Sequence, residues 1–313
     1  MPTLARLGRT ELDVYPLCLG GNVFGWTADE EMSFTILDAY AAAGGNFVDT
    51  ADAYSAWVPG HEGGESETII GRWMAARGNR DRIVVATKVG RLKGLDDLHA
   101  DTIRKACEDS LRRLQTDRID LYYAHGDDNP DIPLDETMGA FDALVAAGKV
   151  RYVAASNYGV PRLQEALAVS RRDGLAEYVA LQPQYNLVER DYEDGLRDLC
   201  AEEGLACLPY FSLAMGFLTG KYRPGTEVDS ARAGGASKYL DERGVAVLEA
   251  LDDVAAAHGT SDAAVALAWL REQPTVAAPI ASARTTEQLA ELLPMADLVL
   301  ERDEVERLRA AGR

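Results

Sequence analysis

The sequence predicts an α/β fold: a (β/α)8 TIM barrel with an N-terminal β-hairpin and extra C-terminal helices, over residues 1–313 as one domain. Three observations carry this. Short apolar runs alternate with helix-spaced segments along the whole chain. Most of the runs are continuously apolar, as parallel strands buried on both faces require. Counting gives eight strand-helix units of about 35 residues each, the repeat of an eightfold barrel.

The elements follow in order. Leu4 to Leu12 reads as a hairpin turning at Gly8-Arg9. Val14 to Leu19 is the first barrel strand, ending in Gly20-Gly21. Asp29 to Ala43 is a helix with Met32, Ile36, Leu37 and Tyr40 on one face, stopped by Gly44-Gly45. Phe47-Val48 is strand two, Ser66 to Ala76 a helix and Ile83 to Thr87 strand three. Asp101 caps a helix reaching Leu114, and Ile119 to Ala124 is strand four. Asp135 to Ala147 is a helix closed by Gly148, Val150 to Ala155 is strand five, and Pro161 starts a helix. Tyr178 to Leu181 is strand six, Tyr192 to Glu203 a helix and Leu205 to Leu208 strand seven. A polar, Gly-rich insertion covers Gly216 to Gly235. Helices at Tyr239 to His258 and Ser261 to Glu272 precede strand eight, Val276 to Ile280. Helices at Thr286 to Leu293 and Asp303 to Ala310 end the chain. A doubly wound open sheet competes, but Gly20-Gly21-Asn22-Val23-Phe24-Gly25 lacks the G-x-G-x-x-G phosphate fingerprint.

Composition narrows the function. Hydrophobic residues make up 47% of the chain, enough for a large core. The 51 acidic against 32 basic residues give a net charge of -19, which repels nucleic acid and anionic membranes. An anionic ligand must then be held by local donors. Cys18, Cys107, Cys200 and Cys207 form no C-x-x-C pair and sit mostly in apolar runs, as reduced thiols of a cytoplasmic protein do. No signal-peptide core and no membrane-length apolar stretch is present.

Three consecutive strands end in polar groups: Asp49, Lys88 and His125. Tyr54 follows in the loop after Asp49. Strand C-termini converge on one face of such a barrel, so the four side chains can meet there. An ordinary phenol has a pKa of about 10, too high for easy proton exchange at neutral pH. A neighbouring Lys cation should lower it, and a carboxylate should fix the Lys. With an imidazole to orient the oxygen, the set can protonate a carbonyl oxygen as it receives hydride. Taken singly, each residue has a plain alternative: Asp49 as a turn cap, Lys88 as a solvated strand end, His125 as a structural histidine, Tyr54 as packing.

Hydride transfer needs a cofactor. Matching strand tips offer Ser156 and Asn157, Gln182, then Tyr210, Phe211 and Ser212, then Ser282 and Arg284. Amides suit a carboxamide, a Tyr face suits a flat ring, and Arg suits a phosphate near a helix start. Gly216-Phe217-Leu218-Thr219-Gly220-Lys221 is too short for a Walker A loop.

These residues resemble the aldo-keto reductase family. The likeness rests on Phe47 to Tyr54, Ala86 to Gly90, Tyr122 to His125, Ala155 to Tyr158, Leu181 to Asn186 and Gly216 to Lys221, and covers nearly the whole chain. It implies an NADP(H)-dependent reductase of small-molecule carbonyl substrates. Tyr54 would be the proton donor, Lys88 and Asp49 its tuning partners, and His125 the carbonyl-orienting group. Ser156, Asn157 and Gln182 would hold the carboxamide, with Tyr210 stacked on the nicotinamide. Leu213, Gly216, Leu218, Gly220 and Lys221 would line the pyrophosphate, and Ser282, Arg284 and Gln288 the 2′-phosphate end. The chain departs from the family at Phe211-Ser212, which stand in place of Ser-Pro, and at Glu291-Leu292, where an Asn often meets the adenine. The loop Ser55 to Glu65, with Trp57 and His61, is expected to shape the substrate pocket with Phe24 and Trp26. Two other readings stay open: a lyase using Lys88 as a Schiff-base amine, and a non-catalytic nucleotide sensor.

Overall fold

The computed structural model describes residues 3–226, 228 and 233–313. Part of the Gly216 to Gly235 insertion, residues 227 and 229–232, lies outside them. The hairpin pairs β1 (Ala5–Arg6) with β2 (Asp13–Val14). Eight parallel strands follow, as the sequence predicts: β3 (Cys18–Gly20), β4 (Phe47–Asp49), β5 (Val84–Val89), β6 (Ile119–Ala124), β7 (Val150–Ser156), β8 (Tyr178–Gln182), β9 (Ala206–Cys207) and β10 (Ile280–Ala281). They are ordered β10-β3-β4-β5-β6-β7-β8-β9. The ring closes by main-chain bonds between the β9 segment and the approach to β10: Cys207 N to Thr275 O at 2.8 Å, Ala277 N to Cys207 O at 3.0 Å and Ile280 N to Pro209 O at 2.9 Å.

Helices α1 (Glu30–Ala42), α2 (Glu65–Arg77), α3 (Ala100–Leu114), α4 (Leu134–Ala146), α5 (Val160–Asp173) and α6 (Leu196–Glu203) cross between strands. The short α7 (Ala233–Ala236), then α8 (Glu242–His258), α9 (Asp262–Arg271), α10 (Thr286–Leu292) and α11 (Arg302–Ala311) complete the order. Side-chain caps fix several starts. Asp29 accepts from Met32 N, Asp241 from Gly244 N and Ser261 from Ala264 N.

Several boundaries differ from the sequence reading. Val14 belongs to the hairpin, not to the first barrel strand. The last strand sits at Ile280–Ala281, because Val276 makes only an isolated bridge to Cys207. His99, not Asp101, is the N-cap of α3. The helix expected from Tyr192 breaks into a 3-10 turn and α6, because Gly195 takes φ 93°.

Two cores result from the strand period of two. Val85, Val89, Tyr122, Ala124, Ala155 and Leu181 face the helices. Phe47, Val84, Ala86, Leu121, Tyr123 and Ala154 fill the lumen, and Leu7, Leu12 and Val14 of the hairpin plug its lower end. The plug fits closely at Gly8, with φ 52°, where a Cβ would lie 3.0 Å from Ala206 N and 3.1 Å from Gly204 O. The same parity decides the site. Asp49 follows lumen-facing Phe47 by two residues, Lys88 follows Ala86, His125 follows Tyr123 and Ser156 follows Ala154.

Candidate active site

Over the upper mouth of the ring lies a cleft of about 460 Å³. At its floor, Lys88 and Asp49 are sealed from solvent. The Lys88 ammonium has three N–H groups and three acceptors: Asp49 Oδ2 at 2.6 Å, Thr50 O at 2.8 Å and the Tyr54 hydroxyl at 2.9 Å. Tyr54 in turn donates to Asp49 Oδ2 at 3.2 Å. Asp49 Oδ1 accepts from Gln182 Nε2 at 2.9 Å, so β8 reaches across the lumen to hold a carboxylate on β4. The His125 ring stands edge-to-face against Tyr54, centroids 6.1 Å apart, and its buried Nδ1 has no hydrogen-bond partner.

The four residues singled out in the sequence therefore meet, but the electrostatics differ from the expectation. Burial and the Asp49 carboxylate push the Tyr54 phenol well above its ordinary value. Burial lowers Lys88, outweighing the Asp49 carboxylate, which pulls it up. Burial, then the charges of Lys88 and Arg91, hold His125 well below the usual imidazole range. The resting site thus keeps a protonated phenol beside a neutral imidazole. The net effect on Tyr54 is upward, because burial disfavours a phenolate and the carboxylate that fixes the ammonium also repels one.

The expected cofactor contacts fall into two groups. Ser156, Asn157, Gln182, Tyr210, Phe211, Ser212, Leu213, Gly216, Lys221, Ser282, Arg284, Gln288 and Glu291 all line the cleft. Several are already engaged. Tyr210 donates to Asn157 Oδ1 at 2.7 Å, Asn157 Nδ2 donates to His125 O at 2.8 Å, and Ser156 Oγ donates to Gln182 O at 2.9 Å. Ser282 Oγ donates to Asn22 Oδ1 at 2.5 Å, and Gln288 Oε1 accepts from Arg284 N at 2.9 Å. Leu218 and Gly220 are not on the cleft wall: Leu218 is core, and a Cβ on Gly220 would meet Asp262 Oδ2 at 1.9 Å. The helix start near Arg284 is short, since α10 has seven residues, and Thr285 already accepts from Gln288 N.

Of the residues expected to shape a substrate pocket, Trp26 and Trp57 line the cleft. Phe24 is fully buried in the core, and His61 lies off the cleft, 3.8 Å from Glu65. Gly20, Asn22, Arg91, Met215 and Thr219 also line the cleft, and sequence reasoning did not single them out as site residues. Gly20, Asn22 and Arg91 carried a usable signal, each lying at or just beyond a strand tip. Met215 and Thr219 carried none, because a run of left-handed residues, Ala214 at φ 47° and Met215 at φ 59°, coils that loop.

Among the described residues no His, Cys, Asp or Glu cluster could hold a metal, and no helix is long and apolar enough to cross a membrane. The Aldo/keto reductase family model matches residues 16–313. Protein tas of Escherichia coli is 32% identical, over 97% of this chain and 96% of its own. An uncharacterized oxidoreductase, YrpG, of Bacillus subtilis is 36% identical over 95% of this chain and 92% of its own. Norsolorinic acid reductase B of Aspergillus parasiticus is 34% identical over 95% of this chain and 81% of its own. With the barrel, the Asp49-Tyr54-Lys88-His125 cluster and a match over nearly its whole length, the chain belongs to the aldo/keto reductase family.

Proposed function

We propose that the protein is an NADPH-dependent reductase of aldehydes or ketones, with Tyr54 as general acid. The observation that carries this is the Lys88 ammonium, whose three N–H groups are all committed, one of them to the Tyr54 oxygen. A phenol kept protonated can give its proton to a carbonyl oxygen. The phenolate left behind keeps the Lys88 hydrogen bond, which strengthens as charge develops. Neutral His125 can donate one ring N–H to the same oxygen. Asp49 keeps the ammonium in place, and Gln182 keeps Asp49 in place.

The cleft fits NADP(H) on its own chemistry. Arg284 makes no side-chain ion pair among the described residues and lines the cleft, a local cation in an acidic protein. Gly20 leaves room beside Ser282, where a Cβ would come within 2.6 Å of Oγ. We assign the carboxamide side to Ser156, Asn157 and Gln182, the ring face to Tyr210, and the 2′-phosphate end to Ser282, Arg284 and Gln288. When bound, the nicotinamide supplies the hydride. A Schiff-base role for Lys88 is disfavoured, because its nitrogen is an ammonium donor to three acceptors. Four buried free thiols suit a reducing compartment, and we place the enzyme in the cytoplasm.

The test is Tyr54→Phe. Carbonyl-dependent NADPH oxidation should fall by about a thousandfold or more while NADPH binding persists. Retained turnover would refute the assignment.

A further inference from the structure

The substrate end of the cleft is chemically uneven. One wall is aromatic: Trp57 packs edge-to-face on Trp26 at 5.6 Å and on Tyr54 at 6.1 Å, and Tyr54 on His125 at 6.1 Å. A line of rings thus runs from the solvent rim, where Trp57 is half exposed, to the proton donor. Flat rings stack or tilt favourably against such a wall.

A cation, Arg91, also lines the cleft. It follows β5 three residues after Lys88. Its guanidinium lies over Gly126, the residue after His125. A Cβ at Gly126 would stand 2.5 Å from one guanidinium nitrogen and 3.0 Å from its central carbon. The glycine therefore makes the space that lets Arg91 reach the cleft beside His125. Its charge acts on both sides of the cleft, lowering His125 and opposing the upward shift of Tyr210. Its protein partner is Asp128, held through Nε at 3.0 Å and one terminal nitrogen at 3.2 Å. Asp128 is largely exposed, so the pair is a weak competitor for a ligand anion.

Building on the reductase reading, we propose that Arg91 selects substrates: planar aromatic carbonyl compounds carrying a carboxylate or a comparable anionic group. The ring would lie along Trp26 and Trp57, the carbonyl would meet Tyr54 and His125, and the anion would meet Arg91. In a protein of net charge -19 an anionic substrate needs such a local counter-charge.

The experiment compares 3- and 4-carboxybenzaldehyde with their neutral methyl esters. Wild-type kcat/KM should favour one or both acids. Arg91→Met should lower the acid-to-ester ratio by about tenfold, mainly through KM. Asp128→Asn, which frees the guanidinium, should raise the ratio, and that gain should vanish in the double variant. A ratio unmoved by Arg91→Met overturns the proposal. So does a rise in the KM for NADPH in place of a change in the ratio, which would give Arg91 to the cofactor. If wild type reduces neither acid nor ester, the reductase reading fails, and Arg91 is judged by binding alone. Titration of tryptophan fluorescence with benzoate and benzamide should then show benzoate, not benzamide, weakened by Arg91→Met. Equal effects on both ligands overturn the anion assignment.

Discussion

Lys88 Nζ and Asp49 Oδ2 lie 2.6 Å apart with both side chains out of reach of solvent. A buried pair of this kind strongly resists loss of one partner, because the survivor stays charged and unmatched. Lys88→Met should cost about 3 kcal/mol of stability and remove most activity. The double variant with Asp49→Asn should recover part of that stability. Chemical denaturation of the four proteins of the cycle measures it, and strict additivity would argue against a direct pairing.

Gln182 is expected to act through Asp49 as well as on a ligand. Gln182→Leu leaves Asp49 Oδ1 without its donor. The kcat at saturating NADPH should fall about tenfold, the scale of one lost hydrogen bond to a charged group. If only cofactor affinity changes, Gln182 does not position Asp49.

Asp52 is fully buried and makes no ion pair among the described residues; the Ala53 backbone N–H is its nearby donor. Burial, then the charge of Glu67, raise it to about 8, against the opposing pull of Arg113 and Lys88. A raised acid binds its proton more tightly when folded. Its destabilising effect is therefore absent below its ordinary value of 3.8 and grows as pH rises towards about 8. Asp52→Asn should raise unfolding stability most near pH 8, by a few kcal/mol at about 1.4 kcal/mol per pH unit, and little near pH 4, with Tm rising in step. A pH-independent change in Tm would contradict this.

Arg284→Ala should raise the KM for NADPH about tenfold relative to that for NADH, by loss of a charge-assisted contact to the 2′-phosphate. Parallel changes for both cofactors would move the 2′-phosphate elsewhere.

The barrel and the meeting of Asp49, Tyr54, Lys88 and His125 were legible in the chain because both depend on local periodicity. Continuous apolar runs marked the parallel strands, and a polar residue at the end of each run marked the upper face. Alternation along a strand then turned Asp49, Lys88, His125 and Ser156 inward together. The short strands were harder to place. β10 lies nearer the C-terminus than the run Val276 to Ile280 suggested, since register is decided by pairing with β3 rather than by hydropathy. The break before α6 hinged on one glycine torsion.

The sequence by itself determined the fold class, the convergence of Asp49, Lys88 and His125 at neighbouring strand tips, and the family, because these follow from residue order and strand spacing. Only the tertiary structure decided that Gln182 grips Asp49 across the lumen, that burial and Asp49 push the Tyr54 phenol up rather than down, that Leu218 and Gly220 turn away from the cleft, and that Arg91 lies over Gly126 beside His125. Each of these depends on distances between segments far apart in the chain, and on how thoroughly packing removes water from a charge. Neither quantity is written in any local stretch of residues.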